Sequence, residues 1–160
     1  RQWAHAVFAA LRIVVGFTFL WAFLDKLFGF GYATPSAKSW INGGSPTKGF
    51  LSSAEGPFAS FYHSIAGDAW VNWLFMLALL GLGIALTLGI GMRVAAVSGA
   101  ILYLMMWAVV LPPENNPVVD DHIIGALVVI GLALVHAGDT FGFGREWKKL
   151  PIVRQNRWLI

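Results

Sequence analysis

Four apolar stretches, each close to the roughly 20 residues that a helix needs to cross the hydrocarbon core of a bilayer, decide what this 160-residue chain can fold into. The first covers residues 6–24, runs through RIVVGFTFLWAFL with Arg12 as its only charge, and is prolonged through Asp25 and Lys26 to residue 28. The second covers residues 70–89 and the third residues 94–111. The fourth, residues 122–137, is short; extended to residues 119–138 it gives a full crossing with Asp120, Asp121 and His122 at headgroup depth. Inside lipid only helices or closed barrels satisfy every backbone group. The expected fold is therefore all-α, an integral membrane four-helix bundle forming one domain over residues 1–160. No small-residue cleavage pattern follows the first stretch, so it reads as a span and not as a secretory leader.

Composition narrows the chemistry. Hydrophobic residues make up 58% and charged residues 12%, against about half and a quarter in soluble domains, which makes the lipid bilayer the solvent of most of the chain. There is no cysteine, so disulfides, thiolate nucleophiles and iron–sulfur clusters are excluded and any redox chemistry falls to a cofactor or a partner. The cations are few and scattered, with no nucleic-acid signature. Their placement sets orientation through the positive-inside rule. Arg1, Arg93, Arg145, Lys148, Lys149, Arg154 and Arg157 fall on one side, with Lys26, Lys38 and Lys48 on the other. That second side also collects Asp25, Glu55, Asp68, Glu114, Asp120 and Asp121. The expected topology is N-in and C-in, with a basic cytoplasmic tail over residues 139–160.

The connection over residues 28–69 is too long for a turn and must carry structure of its own. Behind Pro57, the helical spacing of Phe58, Phe61, Tyr62 and Ile65 predicts a short helix lying in the outer interface. Ahead of it, Gly43, Gly44 and Pro46 suit a fixed turn. Spans pack through small residues. Gly81, Ala85 and Gly89 form one such stripe, and Ala95 and Gly99 another.

The chemistry-bearing residues follow. Arg12 sits six residues into an apolar span, where a guanidinium needs a partner. It either snorkels or pairs with Asp139, or it forms the cationic wall of a polar pocket. Arg12, Gly16, Phe19, Phe23 and Lys26 share one helical face, a basic residue near each end of an aromatic stripe. Asp25 and Lys26 project about 100° apart and reach different neighbours. With Asp68, Asp120, Asp121 and His122 at the same depth, they form either a salt-bridge network locking the first span to the fourth or a site for an anion or a quinone oxygen. In the second case His122 is the proton-exchanging group. Most tryptophans, including Trp3, Trp70, Trp107 and Trp158, fall at the expected interfaces as an aromatic belt; Trp21, near mid-span, either packs or stacks on a quinone ring. The candidate quinone or anion pocket is thus Arg12, Phe19, Trp21, Phe23, Asp25, Lys26, Asp121 and His122. His5 and His136 fall inside, His63 and His122 outside, and no diagnostic spacing marks haem b or another metal centre.

The run LRIVVGFTFLWAFLDKLFGFGYATP, the loop SWINGGSPTKGFL and the tail AGDTFGFGREWKKLPIVRQNRWL together resemble the DoxX family, specifically its DoxD-like branch. That branch supplies the small subunit of thiosulfate:quinone oxidoreductase. The resemblance covers nearly the whole chain, and Arg12, Gly16 and Lys26 fall on positions typical of the family's first span. It implies a multi-pass protein of a prokaryotic plasma membrane, linked to oxidation of thiosulfate to tetrathionate with electrons passing to membrane quinone. A partner subunit or a homo-oligomer would complete the site. No catalytic role transfers by position. The alternative is a non-enzymatic anchor or assembly partner of a redox complex.

Overall fold

A computed structural model describes residues 1–160 and is built from helices without a strand. Helix α1 spans Gln2–Phe28, uninterrupted because only Gly16 breaks its run of helix-compatible side chains. It stops at Gly29, whose left-handed backbone (φ 73°) lets its N–H reach the Asp25 carbonyl at 2.7 Å. Two short helices follow in the long connection, α2 (Lys48–Ser52) and α3 (Ala59–Ile65). Helix α4 (Ala69–Leu88) ends on Gly89, again left-handed, and a tight turn passes the chain to α5 (Met92–Val110). Helix α6 (Asp121–Leu134) begins on a cap, the Asp120 carboxylate accepting the His122 N–H at 3.0 Å. The tail forms α7 (Gly144–Lys149) and α8 (Pro151–Gln155).

Three of these helices, α1, α4 and α5, are long and apolar enough to cross a membrane. Only 22–39% of the residues in their most apolar windows are buried inside the protein. Outward-facing Leu77, Ile101 and Leu127 are each more than half exposed, a surface that only lipid solvates favourably. Helix α6 is equally apolar but has 14 residues, a rise of about 21 Å, and is shorter than the 119–138 expected of a fourth span. It ends early because His136 turns left-handed (φ 54°) and the chain enters a 3-10 turn, Ala137–Asp139.

Helix α1 packs chiefly on α4, and α5 on α6; α4 and α5 join the two pairs less closely. Phe19, Met76, Leu79, Leu86, Val129 and Leu132 form the centre. The α1–α4 approach depends on Gly16, where a Cβ would stand 2.7 Å from the Thr87 N, and on Gly83, where one would stand 2.9 Å from the Leu20 Cα. Gly81, expected to be part of a packing stripe, instead faces open space, since two residues rotate a helix by about 200° and Gly83 took the contact. Gly99 does lie at a helix contact, against Leu82 and Val129.

A second, smaller core holds the long connection down: Leu51, Ala54, Tyr62, Val71 and Val109. The Tyr62 hydroxyl donates to the Met105 carbonyl of α5 at 2.9 Å. Thus α3 turns Tyr62 and Ile65 toward the protein while Phe58 and Phe61 stay exposed, and the four-residue apolar face expected of it is divided between the two surroundings. The GGSPT turn is pinned by Asn72 of α4, whose side-chain oxygen accepts from Ser45 Oγ at 2.9 Å and Thr47 Oγ1 at 2.6 Å.

Candidate functional site

The polar residues of the spans segregate to the two ends of the bundle. At the end holding the tail, Arg12 is fully buried. One terminal nitrogen donates to the carbonyls of Ala137 (2.7 Å) and Thr140 (3.0 Å), the other to that of Phe141 (2.8 Å). The guanidinium lies in a cradle of glycines: a Cβ at Gly89 or Gly142 would stand 2.7 or 2.6 Å from it. Its Nε and the nearby Thr87 Oγ1 are buried without a partner. Arg12 therefore fastens the turn after α6 to α1. The pairing with Asp139 is corrected by the structure: Asp139 binds Lys148 Nζ at 2.7 Å, because the turn points its carboxylate toward α7. Nor does Arg12 share a pocket with Lys26, which is 14 residues and about 21 Å away along the helix.

At the opposite end, Asp25 is buried and serves the backbone. Its Oδ1 accepts the N–H groups of Phe30 (3.1 Å) and Tyr32 (3.4 Å), and its Oδ2 those of Ala33 (2.8 Å) and Thr34 (3.0 Å). Four backbone amides occupy its carboxylate and neither ion pair of the molecule includes it, so the expected salt-bridge network to the fourth span leaves it out. The turn it holds carries Phe30, stacked on Trp21 at 5.6 Å, and Tyr32, edge-on to it at 5.2 Å. Trp21 belongs to this aromatic patch on the far side of α1 from Phe19 and Phe23, as their spacing of two residues requires.

The remaining polar groups at this end converge. Tyr103 of α5 lies with its ring 5.3 Å from that of Phe19 and 6.4 Å from the imidazole of His122. It fits against α6 only because residue 125 is glycine, where a Cβ would stand 2.5 Å from the ring. His122 Nδ1 bonds the Asp120 carboxylate at 2.6 Å. A carboxylate only accepts, so Nδ1 is the donor of this bond, and Nε2 makes no hydrogen bond within the chain. Lys26 lies on the Phe19–Phe23 face of α1, about 10 Å beyond Phe19, half-buried and outside both ion pairs of the molecule. Asp121 is exposed and turned away. The structure therefore joins Phe19 and His122 through Tyr103, with Phe23 and Lys26 further along the same face of α1; Arg12 lies at the tail end, and Trp21, Asp25 and Asp121 lie at the loop end outside this group. It adds Tyr103, for which a hydroxyl inside an apolar span was the signal, and of the carboxylates expected beside His122 it selects Asp120. Of the other histidines, His63 bonds the Ala54 carbonyl at 2.8 Å, and His5 and His136 are exposed at the tail end.

Such a constellation can hold a flat, lipophilic molecule with a polar oxygen: aromatic faces for its ring, an ammonium for its charge and an imidazole to pass a proton. A cleft of about 790 Å³ lies elsewhere, between α4 and α5, and includes none of these side chains.

A family model described as DoxX matches residues 7–112. The match takes in Arg12, Phe19, Phe23, Asp25, Lys26 and Tyr103, and stops before α6 and the tail. It gives the resemblance a narrower extent than the nearly whole chain expected. No curated protein and no solved structure matches this chain.

Proposed function

The chain belongs to the DoxX family, a membrane family often linked to oxidoreductase-associated functions, and from that premise we propose that it is the membrane-integral subunit of a quinone-linked oxidoreductase of the DoxD-like branch. In this reading α6 completes a four-helix bundle, both chain ends are cytoplasmic, and the Lys26–His122 end faces outward in a prokaryotic plasma membrane. The observation that carries it is the packing of Tyr103 between Phe19 and His122, with Lys26 further along the Phe19 face of α1.

The fit is chemical. A quinone takes up two electrons, here supplied by oxidation of two thiosulfates to tetrathionate, and two protons drawn from water, with a partner subunit or a second copy completing the donor side. Phe19 and Tyr103 offer flat faces for a ring, and Lys26 offers a charge-assisted hydrogen bond to an oxygen. His122 Nε2 exchanges a proton with that oxygen, and Asp120 stabilises the imidazolium while it is charged.

The test is a lipid extract and an optical spectrum of purified protein, followed by quinone reduction in membranes supplied with thiosulfate. Quinone should be retained, and His122→Gln should lower turnover by about 100-fold or more, the usual loss of a general acid–base group. Lys26→Ala should weaken quinone binding. Full turnover in both variants, with the bundle folded, overturns the assignment.

A second reading, a non-enzymatic anchor of a redox complex, is favoured by one feature. The docked tail presents Arg145, Lys149, Arg154 and Arg157 outward as a surface for a partner. It predicts a pull-down lost on neutralising those four residues and no ligand in the extract.

A further inference from the structure

The tail is fastened across one end of the bundle. Arg12 of α1 holds the carbonyls of Ala137, Thr140 and Phe141, the Phe143 N–H donates to the Leu88 carbonyl at the end of α4 (2.8 Å), and Arg93 in the first turn of α5 donates to the Arg157 carbonyl (3.0 Å). Trp147 Nε1 donates to the Leu159 carbonyl at 2.6 Å and Val153 is fully buried, so α7 and α8 are packed in place. What they leave outside is mixed. Phe141, Phe143, Ile152 and Trp158 are 58–75% exposed. Interleaved with them in sequence stand Arg145, Lys149, Arg154 and Arg157, all exposed, against one exposed carboxylate, Glu146; Asp139 is paired with Lys148. Phe141 shows the arrangement at one residue: its left-handed backbone (φ 51°) gives the carbonyl to Arg12 and leaves the ring outside. Water disfavours such rings and hydrocarbon disfavours such cations, whereas the headgroup layer of a bilayer takes both. Depth agrees with this. Helix α1 continues about 15 Å beyond Arg12 to Gln2, and its residues 6–11, AVFAAL, include no polar side chain, with Val7 62% exposed. Lipid therefore reaches past the level at which the tail is fastened.

We propose that the docked tail is an interfacial element that binds the anionic phospholipid headgroups of the surrounding bilayer, its exposed rings and Ile152 among the upper acyl carbons and its four cations at the phosphates. Charge and depth select this occupant together. Zwitterionic headgroups take the rings but leave the cations without a counter-charge. A soluble protein partner meets the cations but not at a level that lipid already occupies. The tail is held by the fold, so its cations are presented at one depth, as a loose basic extension could not present them. The inference does not rest on the quinone reading, and it competes with the anchor reading for the same four cations.

The experiment attaches an environment-sensitive fluorophore to Ile152→Cys in the full chain, which has no other cysteine. The protein is placed in nanodiscs of phosphatidylcholine, with or without an equal part of phosphatidylglycerol, each carrying lipid spin-labelled near the top of the acyl chain. With phosphatidylglycerol the label should shift to the blue and be quenched; in phosphatidylcholine alone it should be quenched far less. Lys149→Gln and Arg154→Gln, both at exposed positions, should each lower the ratio of lipid-inserted to free label about fivefold, the effect of one juxtamembrane cation, while Lys38→Gln at the opposite end changes nothing. Raised salt should reproduce the loss without any change at the two cations. A label that stays in water in the anionic discs, as on a surface kept for a protein partner, overturns the proposal. So does equal quenching in the two lipids, or quenching that neither the two substitutions nor salt reduces.

Discussion

Two buried charges in α1 do their work on backbone groups. Arg12 gives three hydrogen bonds to carbonyls and Asp25 accepts four from amides, so each closes a chain segment that would otherwise leave polar groups facing lipid. Arg12→Leu should destabilise the protein by about 3 kcal/mol, since it strands three carbonyls, and Arg12→Lys by less; thermal unfolding in detergent measures both. Asp25→Asn sets an NH₂ group against amide donors. It should cost about 2 kcal/mol, red-shift the Trp21 fluorescence as Phe30 and Tyr32 lose their places, and open the turn after α1 to protease. The sequence showed that both residues needed partners, because a charge in an apolar span always does. It could not show which, because carbonyls and amides are present at every position and only the folded turns decide which of them point inward. Asp121 and His122 illustrate the same limit, since the start of α6 made Asp120 the histidine's partner and left Asp121 outside.

The helices were easier to read than their contacts. Apolar runs marked α1, α4 and α5 closely, whereas α6 ended early because a left-handed residue after it carries no compositional signal. Rotation about each axis was harder still. Gly81 and Gly83 look alike in sequence, yet only Gly83 meets α1. Glycine 125 makes a sharp test of the α5–α6 contact. Gly125→Ala pushes a methyl group into the Tyr103 ring and should cost about 1–3 kcal/mol, largely recovered in combination with Tyr103→Leu, as melting of the single and double variants would show. Helix α3 brings a dependence on pH. Burial raises the Tyr62 hydroxyl above its ordinary value of 10.0, so its contribution to stability is complete below that value and is lost as the pH climbs through the raised one. Alkaline melts should show this loss in the native protein and not in Tyr62→Phe.

The two ends of the bundle have opposite characters. The tail end is basic and closed by Arg12; the loop end is acidic and contains the Lys26–His122 group. Single cysteines at exposed positions test the orientation, since the chain has none of its own. In right-side-out vesicles an impermeant reagent should label Ser60→Cys and Asn115→Cys and leave Gln2→Cys and Gln155→Cys untouched; the reverse pattern would invert the molecule. The overall solvent and the charge asymmetry were legible from the first pass along the chain, whereas the cleft between α4 and α5 was not, because it arises from how two helix pairs are set against each other.

The Arg12 clamp also orders the biogenesis of the protein. The first helix leaves the ribosome with a guanidinium whose acceptor carbonyls are synthesised 125 to 129 residues later. Until the last turn emerges, that charge must wait in the insertion machinery or at the bilayer surface. A chain that ends before residue 137 therefore carries in its first span a charge whose acceptors are missing.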